Sequence, residues 1–220
     1  MNSSFKRVVE TGYDRVAERY LASKDLEDPT TLAAPKELAC AVETPRRGVS
    51  TFPLDVAVLD LGCGAGVPVT RWLTQRFAVT GVDICARQLK LARQHVPAAK
   101  FLKADMTDLS FAPETFEAVV TLHSIIHVPR AEHPTLVGKI HSWLKSGGCF
   151  LATWTLGEWE GEGNDWEAWG SPMRRSHHDG ETRLELLRGA GFAIERAEAR
   201  TTGGTRGDEP WLWVLARKPL

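Results

Sequence analysis

The chain is 220 residues long, 43% hydrophobic and 25% charged, which suits one full-sized domain with a sizeable core. Its 27 basic and 28 acidic residues leave a net charge of −1, a balance that argues against a protein built to grip phosphate backbones. No apolar run approaches the roughly 20 residues of a membrane helix, and Cys40, Cys63, Cys85 and Cys149 lie far apart without a CxxC pair.

The opening stretch, MNSSFKRVVETGYDR, is amphipathic and polar, with no apolar segment resembling a secretion signal. Together with cysteines that read as reduced, buried thiols, it predicts a soluble cytoplasmic protein without a membrane partner. Phe5, Val9, Tyr13, Val16 and Tyr20 recur at helical spacing and predict a helix over residues 3–23, broken at Gly12. A second helix is expected at 30–43, followed by TPRRGVSTFP as a linker. Val56–Leu61 reads as a short buried strand running into a glycine-rich turn and a helix at 66–76.

Residues 78–83 form a second strand, after which Cys85, Leu89, Ala92 and Val96 repeat at helical spacing. Further strands are expected at Lys100–Ala104, Glu117–Leu122 and Cys149–Trp154. Between the last two, Leu136, Ile140, Trp143 and Leu144 mark a helix stopping at Gly147-Gly148 as its cap. Short apolar strands alternating with amphipathic helices signal a parallel α/β sheet. The ending differs: a helix at about 180–190, then strands at Phe192–Arg200 and Trp211–Arg217. Only TTGGTRGDEP joins these two, too little for a helical crossover, so they are expected to pair antiparallel. Residues 155–180 carry Trp159, Trp166 and Trp169 with little periodicity. They read as a long loop leaving the strand edge where open α/β sheets bind ligands.

Asp60-Leu61-Gly62-Cys63-Gly64-Ala65-Gly66 is the most informative stretch. Closely spaced glycines after a strand let the backbone pass against a ligand, because no Cβ intervenes. A dinucleotide site wants G-x-G-x-x-G, but the third position here is Val67 and Gly66 comes one residue early. The acid at Asp60 suits an ammonium group better than a pyrophosphate. Asp83 ends the next strand, where a carboxylate can accept both hydroxyls of a ribose. Asp105-Met106 ends the third and can meet the exocyclic amine of adenine. Amino acid, ribose and adenine, read by three successive strand ends, describe S-adenosylmethionine.

VLDLGCGAG, VTGVDIC, KADMTDLSF and FEAVVTLHSIIHVPR resemble the successive motifs of class I S-adenosylmethionine-dependent methyltransferases, and YDRVAERY resembles the N-terminal helix that many small-molecule members fold over the cofactor. The resemblance, of methyltransferase type 11/25, implies a Rossmann-like, mostly parallel seven-stranded sheet with a final antiparallel hairpin and helices on both faces. It implies that Gly62, Gly64 and Gly66 line the methionine part, with Asp60 reaching its ammonium through water. Asp83 with Ile84 would hold the ribose, Asp105 and the Met106 backbone the adenine, and Leu122 would lie below the sulfonium. Tyr13 and Tyr20 would close the pocket. The stretch from Asn164 to Phe192 resembles a subgroup of small bacterial methyltransferases, except that Arg174-Arg175 stands where that subgroup would carry aromatics.

Methyl transfer asks mainly for alignment and exclusion of water, and a histidine near neutral pKa suits a general base. His123 and His127 follow the fourth strand, and His177 lies in the long loop; each is a candidate for base or acceptor contact. His123 and His127 also have the i, i+4 spacing of a metal pair, with His177-His178-Asp179 as conceivable further ligands. Nothing else completes such a site, and no metal is expected. Trp159, Trp166 and Trp169 either wall an aromatic or cationic acceptor or pin the loop. Trp211 and Trp213, two apart in a strand, share a face and read as core. Nucleic acid is disfavoured because neither a DPPY-like nor a Pro-Cys motif is present, and no basic appendage exists to hold a strand.

The expectation is one methyltransferase domain over 1–220. It comprises a helical cap at 1–45, a cofactor core at 55–154, a Trp-rich substrate loop at 155–180, and a C-terminal helix and hairpin at 181–220. It would methylate a small-molecule acceptor; the rivals are a nicotinamide-dependent oxidoreductase on a similar sheet and a non-catalytic S-adenosylmethionine-binding module.

Overall fold

A computed structural model describes residues 2–43, 56–163, 170–201 and 210–220. The 44–53 linker, Trp166, Trp169 and most of the TTGGTRGDEP connection lie outside the described residues. Helices α1 (Asn2–Ala22) and α2 (Pro29–Glu43) precede β1 (Ala57–Leu61), α3 (Val69–Leu73), β2 (Ala78–Asp83), α4 (Ala86–His95), β3 (Lys100–Lys103) and β4 (Phe116–Thr121). Two 3-10 turns, α5 (His133–Trp143), β5 (Leu144–Thr155), β6 (Trp159–Gly163), β7 (Met173–His177), α6 (Gly180–Gly189), β8 (Ala193–Thr201) and β9 (Pro210–Arg217) follow.

Seven strands form one sheet in the order β3-β2-β1-β4-β5-β9-β8. β1 pairs parallel with both β2 and β4, and β9 runs antiparallel to β5 and to β8. The chain therefore steps outward from β1 to β3 and returns to β4 on the other side, leaving a crevice beyond the carboxyl ends of β1 and β4. Helices cover the sheet, so β1, β4 and β5 are apolar on both faces; Val58, Leu59, Leu61, Val119, Val120 and Phe150 are all buried. The predicted sheet, with its C-terminal antiparallel hairpin, is the one observed.

Five local expectations change. α1 runs unbroken through Gly12, because this glycine serves a contact rather than a break: a Cβ there would stand 2.9 Å from the Pro172 carbonyl oxygen. α3 is shorter than the predicted 66–76, since residues 62–66 form the glycine turn, with Gly62, Gly64 and Gly66 all at positive φ. Gly147-Gly148 does not cap α5. That helix ends at Trp143, and residues 145–148 bulge from β5 opposite Glu117, the register jumping from Phe116↔Leu144 to Ala118↔Cys149.

The segment read as a long loop contains an antiparallel pair, β6 and β7, with Trp159 opposite His177 and Gly163 opposite Met173. Its buried residues are Met173, Arg175, Ser176 and His177, a stretch too short and too polar to stand out in the sequence. β7 packs against α1, where Met173 joins Phe5, Val9 and Val16 in a small second core. All four cysteines are free; Cys85 and Cys149 are buried as expected, whereas Cys63 is half-buried and Cys40 exposed. Among the described residues no helix is long and apolar enough to cross a membrane.

Candidate active site

A cavity of about 270 Å³ opens at the carboxyl edge of β1, β2 and β4, with α1 across it. Tyr13, Tyr20, Asp60, Gly62, Gly64, Asp83, Ile84, Asp105, Met106, Leu122, His123 and His127 all line it; Gly66 and His177 do not.

The three turn glycines have three different reasons. At Gly62 (φ 75°) a Cβ would stand 2.2 Å from Cβ of Ser124, whose hydroxyl donates to the Leu61 carbonyl at 2.7 Å. At Gly66 a Cβ would press Val96 at 3.0 Å, so this glycine lets the turn dock on α4 instead of touching a ligand. Only Gly64 faces open space: a Cβ there would meet nothing nearer than Gln88 Oε1 at 3.8 Å.

The carboxylates hold the turn together. Asp83 accepts from the backbone N–H of Gly64 and of Cys85, each at 2.8 Å, while burial pushes its carboxyl pKa up. Asp60 is buried and accepts from the Thr70 hydroxyl at 2.6 Å; burial raises its pKa to about 6. Asp105 accepts from Thr107 N–H and hydroxyl at 2.8 Å and pairs with Lys6 Nζ at 2.8 Å. Lys6 also reaches Thr107 Oγ1 at 2.6 Å and Glu132 at 2.5 Å, tying α1 to the β3 end of the cavity. A second tie runs from Asp14 on α1 to the Cys85 thiol and Arg87 N–H, both at 2.9 Å. Cys85 is therefore the cap of α4, accepting from Gln88 N–H at 3.3 Å, rather than a helix-interior residue.

Lys6, Gln88 and Arg175 were not anticipated as cavity residues. For Lys6 the sequence carries no signal, because its partners lie about a hundred residues away. Arg175 stood out only as a departure from the subgroup it resembles. Gln88 is 2% exposed, and neither its amide oxygen nor its nitrogen has a hydrogen-bond partner. A buried, orphaned amide on a cavity wall, beside a glycine that faces open space, fits a polar ligand bound there. The residues present thus match an adenosyl amino acid: acids at successive strand ends, an amide to spare and a bare backbone.

The histidines separate. His127 Nδ1 lies 2.7 Å from the Arg174 carbonyl, which can only accept, so the proton sits on Nδ1. Its Nε2 then accepts from the Tyr13 hydroxyl at 3.0 Å. His123, at φ 55°, donates its backbone N–H to Thr153 Oγ1 at 2.7 Å and sets its ring edge-on to Trp211, centroids 4.2 Å apart. Trp211 is buried, as expected of core, yet also lines the cavity. His177 is corrected: it is buried away from the cavity, bonded to Thr155 Oγ1 at 3.0 Å and the Gly157 carbonyl at 2.8 Å, beside the Arg183 guanidinium. Burial and Arg183 push its pKa down to about 4. Trp159 is half exposed on β6 and does not line the cavity.

Comparison with known proteins agrees with this geometry. Residues 58–148, from β1 into β5, match a family model described as a methyltransferase domain. The chain is 29% identical over 150 residues to phosphoethanolamine N-methyltransferase 3 of Arabidopsis thaliana, a match covering 66% of this chain and 30% of that protein. It is 37% identical over 95 residues to trans-aconitate 2-methyltransferase of Delftia acidovorans, covering 41% of this chain and 35% of the relative. The matched region thus spans about a third of these relatives' length. Among solved structures, 1,6-didemethyltoxoflavin-N1-methyltransferase of Burkholderia thailandensis shares the fold with a TM-score of 0.72 at 16% identity, covering 100% of this chain and 91% of that one. Sheet order, glycine turn, strand-end acids and the matched model converge: residues 58–148 carry a methyltransferase domain, in a chain that shares its fold with S-adenosylmethionine-dependent methyltransferases.

Proposed function

We propose that the protein transfers a methyl group from S-adenosylmethionine to a small-molecule acceptor. One observation carries this reading: a single cavity gathers Asp60, Asp83 and Asp105 from successive strand ends and also holds the Tyr13–His127 pair. The relatives whose names specify phosphoethanolamine and trans-aconitate support a small acceptor.

When bound, S-adenosylmethionine supplies a methyl carbon whose bond to sulfur breaks, the electron pair staying on sulfur, as the acceptor's lone pair forms the new bond. Asp83 keeps a lone pair on each oxygen beyond its backbone bonds and would accept from the ribose hydroxyls, with Ile84 beside it. Asp60 would meet the ammonium through water, and Gly62 and Gly64 the methionine backbone. Asp105, the Met106 backbone and the Gln88 amide are left for the adenosyl part, and Leu122 for the floor under the sulfonium. Tyr13 and Tyr20, packed edge to face at 5.3 Å, would close over the site and exclude water.

The acceptor's proton would pass to the Tyr13 oxygen as the Tyr13 proton moves to His127 Nε2, leaving an imidazolium steadied by the Arg174 carbonyl. His123 would contact the acceptor. His177, remote and neutral, has no part in this chemistry. We also place the protein in the cytoplasm, on its four free cysteines, and outside nucleic-acid binding, on its near-neutral charge. The nicotinamide alternative is not favoured: the residue that would complete its turn, Val67, is no glycine, and Gly66 faces α4.

Thermal unfolding with S-adenosylmethionine, S-adenosylhomocysteine, NADH and NADPH tests the reading. A ligand at 100 times its dissociation constant adds about 2.7 kcal/mol, a shift of a few degrees. The two adenosyl compounds alone should shift the midpoint; a shift with the nicotinamides instead overturns the proposal. Cofactor binding without release of S-adenosylhomocysteine across an acceptor screen would favour the binding module.

A further inference from the structure

Arg183 on α6 is 1% exposed and does not line the cavity. Its guanidinium donates to the carbonyls of Thr155 and His178 and, at 3.0 Å, to that of Gly157; it also lies 3.1 Å from His177 Nδ1. Thr155 ends β5, Gly157 lies between it and β6, and His178 directly follows β7. One side chain thus grips the chain where it enters the β6–β7 pair and where it leaves. Burial pushes the guanidinium pKa down only to about 10, so it stays charged at neutral pH. β7 is in turn bonded to the segment that carries His127. The Arg174 carbonyl meets His127 Nδ1 at 2.7 Å, and Ser176 Oγ accepts from the Arg130 N–H at 2.9 Å. His133 Nε2 bonds the Val128 carbonyl at 3.0 Å and sets its ring edge-on to His178, centroids 5.9 Å apart.

Burying a guanidinium is costly, and an apolar side chain would pack α6 against the sheet at lower cost. What a leucine cannot do is bond carbonyls from separate segments at once, which the planar fork of an arginine does. We infer that Arg183 is a positioning residue for His127: by clasping both ends of the β6–β7 pair it fixes where the Arg174 carbonyl holds Nδ1, and so keeps Nε2 turned to Tyr13. The consequence for catalysis rests on the methyl-transfer reading above. There, loss of the clasp should lower kcat roughly tenfold or more and leave KM nearly unchanged, because a misplaced base is felt in the transition state.

The test is NMR of ring-labelled histidines in the protein saturated with S-adenosylhomocysteine, with His127 assigned by the signal missing from His127→Ala. Wild type should show His127 as a single neutral Nδ1–H tautomer at pH 7.5. In Arg183→Met the tautomer should shift toward the Nε2–H form that free imidazole favours. Arg183→Lys keeps the charge but reaches fewer carbonyls, and should fall between the two. Leu73→Ala, a cavity in the core far along the chain, lowers the unfolding midpoint without touching the clasp and should leave the tautomer as in wild type. The shift given by S-adenosylhomocysteine reports that each variant is folded. A mixed tautomer in wild type, a wild-type tautomer in Arg183→Met (or in Arg183→Lys where only that variant folds), or the same change in Leu73→Ala overturns the proposal. If S-adenosylhomocysteine does not stabilise wild type, the methyl-transfer reading fails, while the tautomer comparison on the free protein still decides the role of Arg183.

Discussion

Tyr13 on α1 and His127 after β4 stand 114 residues apart in the chain and meet at 3.0 Å. The Arg174 carbonyl on the far side of the imidazole leaves Nε2 as an acceptor, so the phenol donates. In the function proposed above, α1 would carry half of a proton-transfer pair and so couple closure of the site to assembly of its base. Tyr13→Phe keeps the ring and its packing. We expect it to slow methyl transfer roughly 100-fold, with S-adenosylhomocysteine affinity within a few-fold by calorimetry. His127→Ala should do the same, and the double variant should be no slower than either single one, because the two act as a unit. A wild-type rate for His127→Ala across pH 6–9 would remove it as base.

Asp83 holds the glycine turn and, in the proposed function, also the ribose. Asp83→Ala frees the backbone N–H groups of Gly64 and Cys85, so the unfolding midpoint should drop. S-adenosylmethionine affinity should fall roughly tenfold or more, the worth of one or two charge-assisted hydrogen bonds. Calorimetry at a temperature where the variant is folded separates the two effects, and unchanged affinity would mean that Asp83 does not hold the ribose.

Asp60 has its pKa raised to about 6 by burial. If Asp60 meets the ammonium as proposed, cofactor affinity should decline as pH falls below about 6, where this carboxylate becomes neutral. The raised value has the opposite consequence for folding: the native state binds the proton more tightly, so the stability Asp60 costs is fully present above pH 6 and disappears below about 4. Asp60→Asn, whose amide oxygen can still accept from Thr70, should gain up to roughly 2 to 3 kcal/mol at pH 8 by denaturant titration. The same variant should bind S-adenosylmethionine more weakly, with the pH dependence near 6 gone.

His177 is structural, and its protonation is disfavoured by burial and Arg183. A depressed histidine pKa contributes stability that is present above about 6.5 and lost as pH falls toward 4. Buried His133, also pushed down to about 4, adds to the same window. His177→Gln should lower the midpoint at pH 7.5, flatten its decline between pH 6.5 and 4, and leave S-adenosylhomocysteine affinity unchanged.

Gly62→Ala should be severely destabilising, because φ 75° is a left-handed conformation and the new Cβ would collide with Ser124. Overpacking costs about 1 to 3 kcal/mol and the backbone about 1 to 2 kcal/mol more. Adding Ser124→Gly should restore only the steric share, which a double-mutant cycle in urea would read out.

The sheet and the acids at its edge were legible in the chain alone, for a local reason. A strand buried on both faces must be a short apolar run, a glycine turn must show its glycines, and a carboxylate at a strand end needs only its place after that run. Val58–Leu61, Asp60, Asp83 and Asp105 therefore all sit where periodicity put them. The bare spacing Gly62-x-Gly64-x-Gly66 likewise spoke against a dinucleotide turn. What it could not say is that Gly62 clears Ser124 and Gly66 clears α4, since a glycine does not record which neighbour forbids its Cβ. The three histidines looked equivalent as residue types. Only the docking of β7 between α1 and residues 125–127 gave His127 a carbonyl on one nitrogen and Tyr13 on the other, and buried His177 behind the site. Lys6, Gln88 and Arg175 entered the cavity by the same route, through contacts spanning much of the chain. Tertiary packing decided them because no local pattern encodes which distant groups will share one small volume.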